Sequence, residues 1–325
     1  MFSLDFPFCF LYYSLMHEEN SPVVILGPTC VGKTNISIEV ALSLGAEIIS
    51  CDSRQVYIGM DIGTAKTPYH LRQIVPHHLV DIVYPDDPFN AQMWAERAEY
   101  SAATIVKKGK SPLIVCGTGL YLSAYTDGFF PLPERTEEKK REITERIKGI
   151  EKRETLYDYL KEIDPKSAKD IHVNDLYRTR RAIEIYLLTG KPLSQIKKES
   201  RKKKREEILY IGLTMEREKL YRRIDGRVDS MIKDGFIEEV ISLINQGYDE
   251  NLTAFQAPGY FELREYFKGK TTREEAISKT KTRTRNYAKR QFTWFRKMEK
   301  VHWFDVTDRY CDAILTIVEL CKKIC

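Results

Sequence analysis

Residues Gly27, Pro28, Thr29, Cys30, Val31, Gly32, Lys33 and Thr34 spell a complete G-x-x-x-x-G-K-[ST] phosphate loop. Glycines at this spacing let backbone N–H groups wrap a phosphate, and the start of the following helix adds favourable dipole charge. Lys33 supplies a mobile cation, and the Thr34 hydroxyl can join the shell of a magnesium ion. The flanks carry as much weight as the match: Val23-Val24-Ile25-Leu26 precedes the loop as an apolar run, and residues 35–44 follow with helical spacing that stops at Gly45. The expectation is a site for a diphosphate or a triphosphate.

Other elements must position that loop. Residues 46–51 read as a buried strand that delivers Asp52, Ser53, Arg54 and Gln55 at its carboxyl end, where ligands collect in open α/β sheets. A helix is predicted over 92–107 and a third strand over 112–116, running into Gly117-Thr118-Gly119. Strands alternating with helices predict a parallel sheet of the nucleotide-kinase kind, a P-loop nucleoside-triphosphate-hydrolase-like core. From about residue 131 the chain becomes charged and helical in period, with a strong helix over 174–188, and then a basic run over 197–205. The chain re-enters the core through a strand at 208–213 and ends in helices over 216–233, 237–246 and 272–298 and a short strand at 301–304. The organisation predicted is an extension over 1–20, a core over 21–130 and 206–325, and a helical insertion over 131–205.

Composition narrows the class. The 325 residues are 42% hydrophobic and 30% charged, ordinary for a globular protein, and the formal charge of +5 favours a polyanionic partner only weakly. Seven cysteines without zinc or C-x-x-C spacing read as reduced thiols of a cytoplasmic enzyme. Residues 1–15 are apolar but carry Asp5 and no Lys or Arg, so they lack the basic flank of a signal peptide, and they are too short to span a bilayer. Met16 is an alternative natural start. No membrane association is expected. His77 and His78 have no matching ligands nearby in the sequence and read as structural.

The loop alone leaves the chemistry open. An ATP-dependent kinase or NTPase would carry an apolar strand ending in Asp, yet Leu113-Ile114-Val115 ends in Cys116-Gly117, which leaves Asp52 as the available acid. Residues 283–296 interleave cations with aromatics on a long helix, a pattern suited either to phosphates and bases or to an ordinary amphipathic helix.

Taken together, the segments resemble the tRNA dimethylallyltransferase (tRNA isopentenyltransferase) family, bacterial type. The motifs that carry the resemblance are GPTCVGKT at 27–34, DSRQVY at 52–57, MDIGTAK at 60–66, PHHLVD at 76–81, GTGLY at 117–121, NDLYRTRRAIE at 174–184, REKLYRRI at 217–224 and YAKRQFTWFR at 287–296. Departures lie at Cys116, Asn90-Ala91, Pro258 and Phe261, away from the phosphate loop and Asp52.

The resemblance implies transfer of a dimethylallyl group from dimethylallyl diphosphate to N6 of adenosine 37, in the anticodon loop of tRNAs that read codons beginning with U. It implies that residues 27–34 hold the diphosphate, with Lys33, Thr34, magnesium and Arg217 acting on the leaving group. Asp52 is then the base for the amine, and Ser53, Arg54 and Gln55 hold the adenine, which must be flipped out of its stack. Thr118, Tyr177, Arg178, Thr179, Arg180 and Arg181 match tRNA-contacting positions, with Lys140 near another. A monomer is expected. The alternatives are prenylation of a free adenine nucleotide and a small-molecule kinase.

Overall fold

Short runs rich in Val and Ile, flanked by helices, become the strands of one parallel sheet. They are β1 (Val23–Leu26), β2 (Glu47–Cys51), β3 (His77–His78), β4 (Pro112–Cys116), β5 (Leu209–Thr214) and β6 (Val301–Asp305), in the order β3-β2-β4-β1-β5-β6. Every pairing is parallel. The computed structural model describes residues 22–128, 133, 136–152, 154–199, 208–249 and 251–324. The extension over 1–20, Met16 and most of the basic run over 197–205 lie outside the described residues.

The described chain falls into two units, one formed by the stretches before Thr126 and after Arg205, the other by the segment between them. In the first, α1 (Lys33–Leu44), α2 (Tyr69–Ile74), α3 (Ala91–Lys107) and α4 (Gly119–Thr126) alternate with the first four strands. In the second, α5 (Glu137–Glu151), α6 (Leu156–Ile163), α7 (Pro165–Asp170), α8 (Leu176–Thr189) and α9 (Leu193–Glu199) surround a small core that includes Ile147, Leu160 and Ile183. Asp164 ties this unit together from a buried position: Oδ1 accepts from Ser167 N at 3.0 Å and Oδ2 from Ser194 N at 2.9 Å. The first unit then resumes with α10 (Arg217–Lys233), α11 (Phe236–Asn245), α12 (Tyr260–Phe267), α13 (Arg273–Phe295) and α14 (Tyr310–Ile324).

The main core packs Ile25, Ile211 and Leu213 against Ile36 and Val40 of α1, Leu220 and Ile224 of α10, Ala288 of α13 and Ile317 of α14. Val24 and Leu26 alternate with Ile25 and are equally buried, as a strand covered on both faces requires. Glu47 enters this interior with three partners: His78 Nε2 at 2.7 Å, Lys110 at 3.0 Å and Lys108 at 3.1 Å. Burial alone would raise its pKa, but the hydrogen bonds from His78, Lys110 and Lys108 outweigh burial and hold it at about 2. Its contribution to stability is therefore complete above the ordinary carboxylate range and is lost as pH falls toward 2. Among the described residues, no helix is long and apolar enough to cross a membrane.

Register decides what meets above the sheet. Leu26 of β1 and Cys51 of β2 both lie level with Cys116 of β4, so Gly27, Asp52 and Gly117 leave the sheet side by side.

Candidate active site

The phosphate loop starts where no side chain fits. Gly27 has φ +156, and a Cβ there would lie 2.8 Å from the Leu213 carbonyl oxygen. The loop closes on Gly32, in the left-handed region at φ 107, and no side chain caps α1. The first N–H groups of α1 are thus open to a ligand, as at other anion-binding helix starts. Lys33 folds back over the loop, its Nζ donating to the Gly27 oxygen at 2.9 Å and the Pro28 oxygen at 2.8 Å. Burial pushes its pKa down to about 8; Asp52 pulls it up, and Arg227 pushes it further down. Arg227 Nη1 also sits 3.4 Å from Cys30 Sγ.

Asp52 shapes its own turn. Its Oδ1 accepts from Arg54 N at 2.8 Å and Gln55 N at 3.3 Å, and Oδ2 lies toward Gly117. A Cβ on Gly117 would stand 3.4 Å from Asp52 Oδ2 and 3.9 Å from Lys33 Nζ, so this glycine lies beside both carboxylate and ammonium. Ser53 N donates to Thr118 Oγ1 at 3.1 Å. Gln55 Nε2 donates to the Thr64 and Ala65 oxygens, each at 3.3 Å, and Arg54 Nη1 to the Thr253 oxygen at 2.6 Å. The loop over 61–63 is fixed in turn by Glu239, whose carboxylate accepts from Asp61 N at 2.8 Å, Ile62 N at 2.6 Å, Gly63 N at 3.1 Å and Tyr260 Oη at 2.5 Å. From α13, Gln291 bonds both Thr29 and Gly117, and Tyr287 Oη reaches the Gly117 oxygen at 3.5 Å. Burial first, and then Asp52, raise the Tyr287 phenol well above its ordinary pKa, so it stays a neutral donor.

Lys33, Asp52, Gly117, Tyr287 and Gln291 line one cavity of about 580 Å³. Its lining includes the polar Lys33, Thr34, Asp52, Arg223 and Arg227 and the apolar Ile224, Val228, Met231 and Phe236. Thr29, Cys30, Gly32, Ser53, Arg54 and Gln55 line it as well. Among the described residues, no cluster of three or more His, Cys, Asp and Glu side chains could hold a metal by itself. A magnesium ion at Thr34 would therefore take its other ligands from a bound diphosphate and water.

Not every residue singled out in the sequence comes to this place. Arg217 begins α10 on the exposed surface, where its Nε donates to Tyr221 Oη at 3.2 Å, and it does not line the cavity. Arg223 and Arg227, nearly two and nearly three turns further on, do. Lys140 and residues 177–181 belong to the other unit. There Tyr177 is 83% exposed, but Thr179 is fully buried on the same helical face as Ala182 and Ile183, so it packs the unit's core and offers no surface to RNA. Arg178 faces Asp175 at 3.4 Å, Arg181 faces Glu184 at 3.0 Å, and Arg180 lies 3.7 Å from Glu184 and 3.9 Å from Glu151. Lys140 pairs with Glu137 at 2.6 Å. The sequence reading missed Arg223, Arg227, Glu239 and Gln291. For the two arginines a signal existed: Arg223-Ile224 and Arg227-Val228 repeat at the four-residue spacing of one helix face.

Known proteins resemble this chain in sequence and fold. Residues 55–298 match the family model described as IPP transferase, and residues 22–74 match one described as isopentenyl transferase. The tRNA dimethylallyltransferase of Staphylococcus carnosus is 48% identical over 286 residues, 87% of this chain and 90% of that protein. The crystal structure of a full-length tRNA isopentenylpyrophosphate transferase from Bacillus halodurans aligns over 94% of this chain and 97% of its own, with 40% identity and a TM-score of 0.71. A eukaryotic dimethylallyltransferase crystallised acting on tRNA aligns over 94% of this chain and 80% of its own, at 28% identity and a TM-score of 0.79. With a cavity built at the ends of β1, β2 and β4 and identities of this size over most of its length, the chain belongs to the tRNA dimethylallyltransferase, or IPP transferase, family.

Proposed function

We propose that this chain transfers a dimethylallyl group from dimethylallyl diphosphate to N6 of adenosine 37 in tRNAs that read codons beginning with U. The observation that carries the reading is that Lys33 and Asp52 come together beside Gly117 in one cavity. The allylic C–O bond breaks as the N6–C bond forms, and diphosphate leaves. Lys33, the open N–H groups of α1, and Arg223 and Arg227 stabilise the charge that grows on that leaving group. We assign to Arg223 and Arg227 the clamping role expected of Arg217, because they line the cavity and Arg217 does not. The Thr34 hydroxyl would help hold a magnesium ion with the diphosphate, and that ion would supply further charge neutralisation.

Adenine N6 is a weak nucleophile because its lone pair is delocalised into the ring. Asp52 accepts its hydrogen bond and then its proton through Oδ2, the oxygen that the turn leaves toward Gly117. Ser53, Arg54 and Gln55 form the rest of the turn that meets the flipped base, with Thr118 bonded to it from the loop after β4. The segment over 131–205 contributes the anticodon stem-loop surface through Tyr177, Arg178, Arg180, Arg181 and Lys140. The protein works as a cytoplasmic monomer, away from membranes.

The test is to incubate protein, magnesium, dimethylallyl diphosphate and unmodified tRNA, then digest the RNA and weigh its nucleosides. A dimethylallyl adduct on adenosine that disappears with Asp52→Ala is expected. An adduct on AMP but not on tRNA would replace the reading with prenylation of a free nucleotide. Release of ADP from ATP with no adduct would replace it with a kinase.

A further inference from the structure

We infer that Gln291 is a positioning residue for this reaction: a strut that fixes the phosphate loop against the turn beside Asp52. The inference deepens the diphosphate-transfer reading and rests on it. Gln291 lies near the end of α13 and is only 6% exposed. Its Oε1 accepts from Thr29 N at 2.8 Å, and its Nε2 donates to the Gly117 oxygen at 2.7 Å. One primary amide therefore spans two loops, offering an acceptor to one and a donor to the other. Only one orientation satisfies both, because the flipped amide would set N–H against N–H and oxygen against oxygen.

The two partners are not incidental. Thr29 belongs to the phosphate loop, and the bond to Gln291 takes its N–H out of the set offered to a phosphate, leaving the uncapped start of α1 for the ligand. Gly117 lies beside both Asp52 Oδ2 and Lys33 Nζ, which would stand 3.4 Å and 3.9 Å from a Cβ placed on it. Gln291 thus sets the separation between the group that handles the departing diphosphate and the group that takes the proton from the amine. When two groups must act in one step, a misplacement of about 1 Å can cost on the order of 100-fold in rate. A glutamine that only packed the helix would need neither bond.

Gln291→Met keeps length and volume and removes both hydrogen bonds. Gln291→Glu keeps the acceptor for Thr29 but sets a carboxylate oxygen against the Gly117 oxygen, a clash relieved when the acid is protonated and can donate. The expected result for Gln291→Met is a kcat lower by about 100-fold and an affinity for magnesium pyrophosphate, titrated calorimetrically, lower by about tenfold. Its tRNA affinity and melting temperature stay near those of the unaltered protein. For Gln291→Glu the deficit relative to the unaltered protein shrinks as pH falls from 8 to 6. Gln291→Met with unaltered kcat and pyrophosphate affinity would overturn the inference. So would losses that run in parallel with tRNA affinity and melting temperature, or a Gln291→Glu deficit that ignores pH. If the unaltered protein transfers nothing to tRNA, the transfer reading fails, and the pyrophosphate titration of the two proteins still decides Gln291.

Discussion

The phosphate cavity and the arginine-bearing face of the inserted helical unit hold their charges in opposite ways. In the cavity, Lys33 is enclosed and bonded to two carbonyls, and Asp52 is fixed by two N–H groups of its own turn. On α8, Arg178 and Arg181 lean on carboxylates one turn away, and Arg178 does so on an exposed surface. Such surface pairs are worth about 0–1 kcal/mol, so their cations can exchange a carboxylate for an RNA phosphate at little cost. Fixed dipoles suit a transition state whose charge appears at one place; loosely paired cations suit a partner that arrives from solution.

The largest effects belong to the cavity. Asp52→Ala should lower kcat by about 10³-fold, within the range for general bases, and Lys33→Ala by about 10²–10³-fold, the range for one preorganised donor. Neither should change tRNA affinity much; a filter-binding loss matching the kinetic one would break the division of labour. Next, Arg223→Ala or Arg227→Ala should raise KM for dimethylallyl diphosphate by about 10–100-fold, as expected for charged hydrogen bonds, while Arg217→Ala leaves it unchanged. The reverse ranking would return the clamp to Arg217.

A pH titration gives a smaller effect. With the free Lys33 near pKa 8, the cation that meets a diphosphate is present below that pH and lost above it. Affinity for magnesium pyrophosphate should fall by up to about tenfold per unit above pH 8, and Lys33→Arg should remove that break because arginine stays charged. The smallest effects belong to the helical unit. Arg178→Ala and Arg181→Ala should each weaken tRNA binding a few-fold and flatten its salt slope by about 0.7–0.9. Binding unchanged across a salt series would take these arginines out of the interface.

Much of the sheet was legible because its strands are apolar runs bounded by glycines, and the order of motifs placed Asp52 beside the phosphate loop. Strand β3 was not, since two residues carry no pattern. Arg217 and Thr179 were drawn from motif position alone, and helical periodicity sorts both: Ala182 and Ile183 put Thr179 on a core face, and Ile224 and Val228 put their arginine neighbours on the cavity face. Gln291 could not have been found this way. A glutamine among lysines and arginines looks solvated until Thr29 and Gly117, 262 and 174 residues earlier, are seen to meet it.

That last separation bears on how the chain is made. Strand β1, where the phosphate loop begins, has one neighbour, β4, encoded before the helical insertion and the other, β5, after it. The loop's bond to Gln291, 262 residues further along the chain, waits for α13 to leave the ribosome. Contacts this distant in sequence form late and slowly. A nascent chain interrupted before α13 would hold every residue of the G-x-x-x-x-G-K-T loop, yet it would lack the bond that joins this loop to the Gly117 turn. The joint between these two loops is therefore made only after α13 has been synthesised.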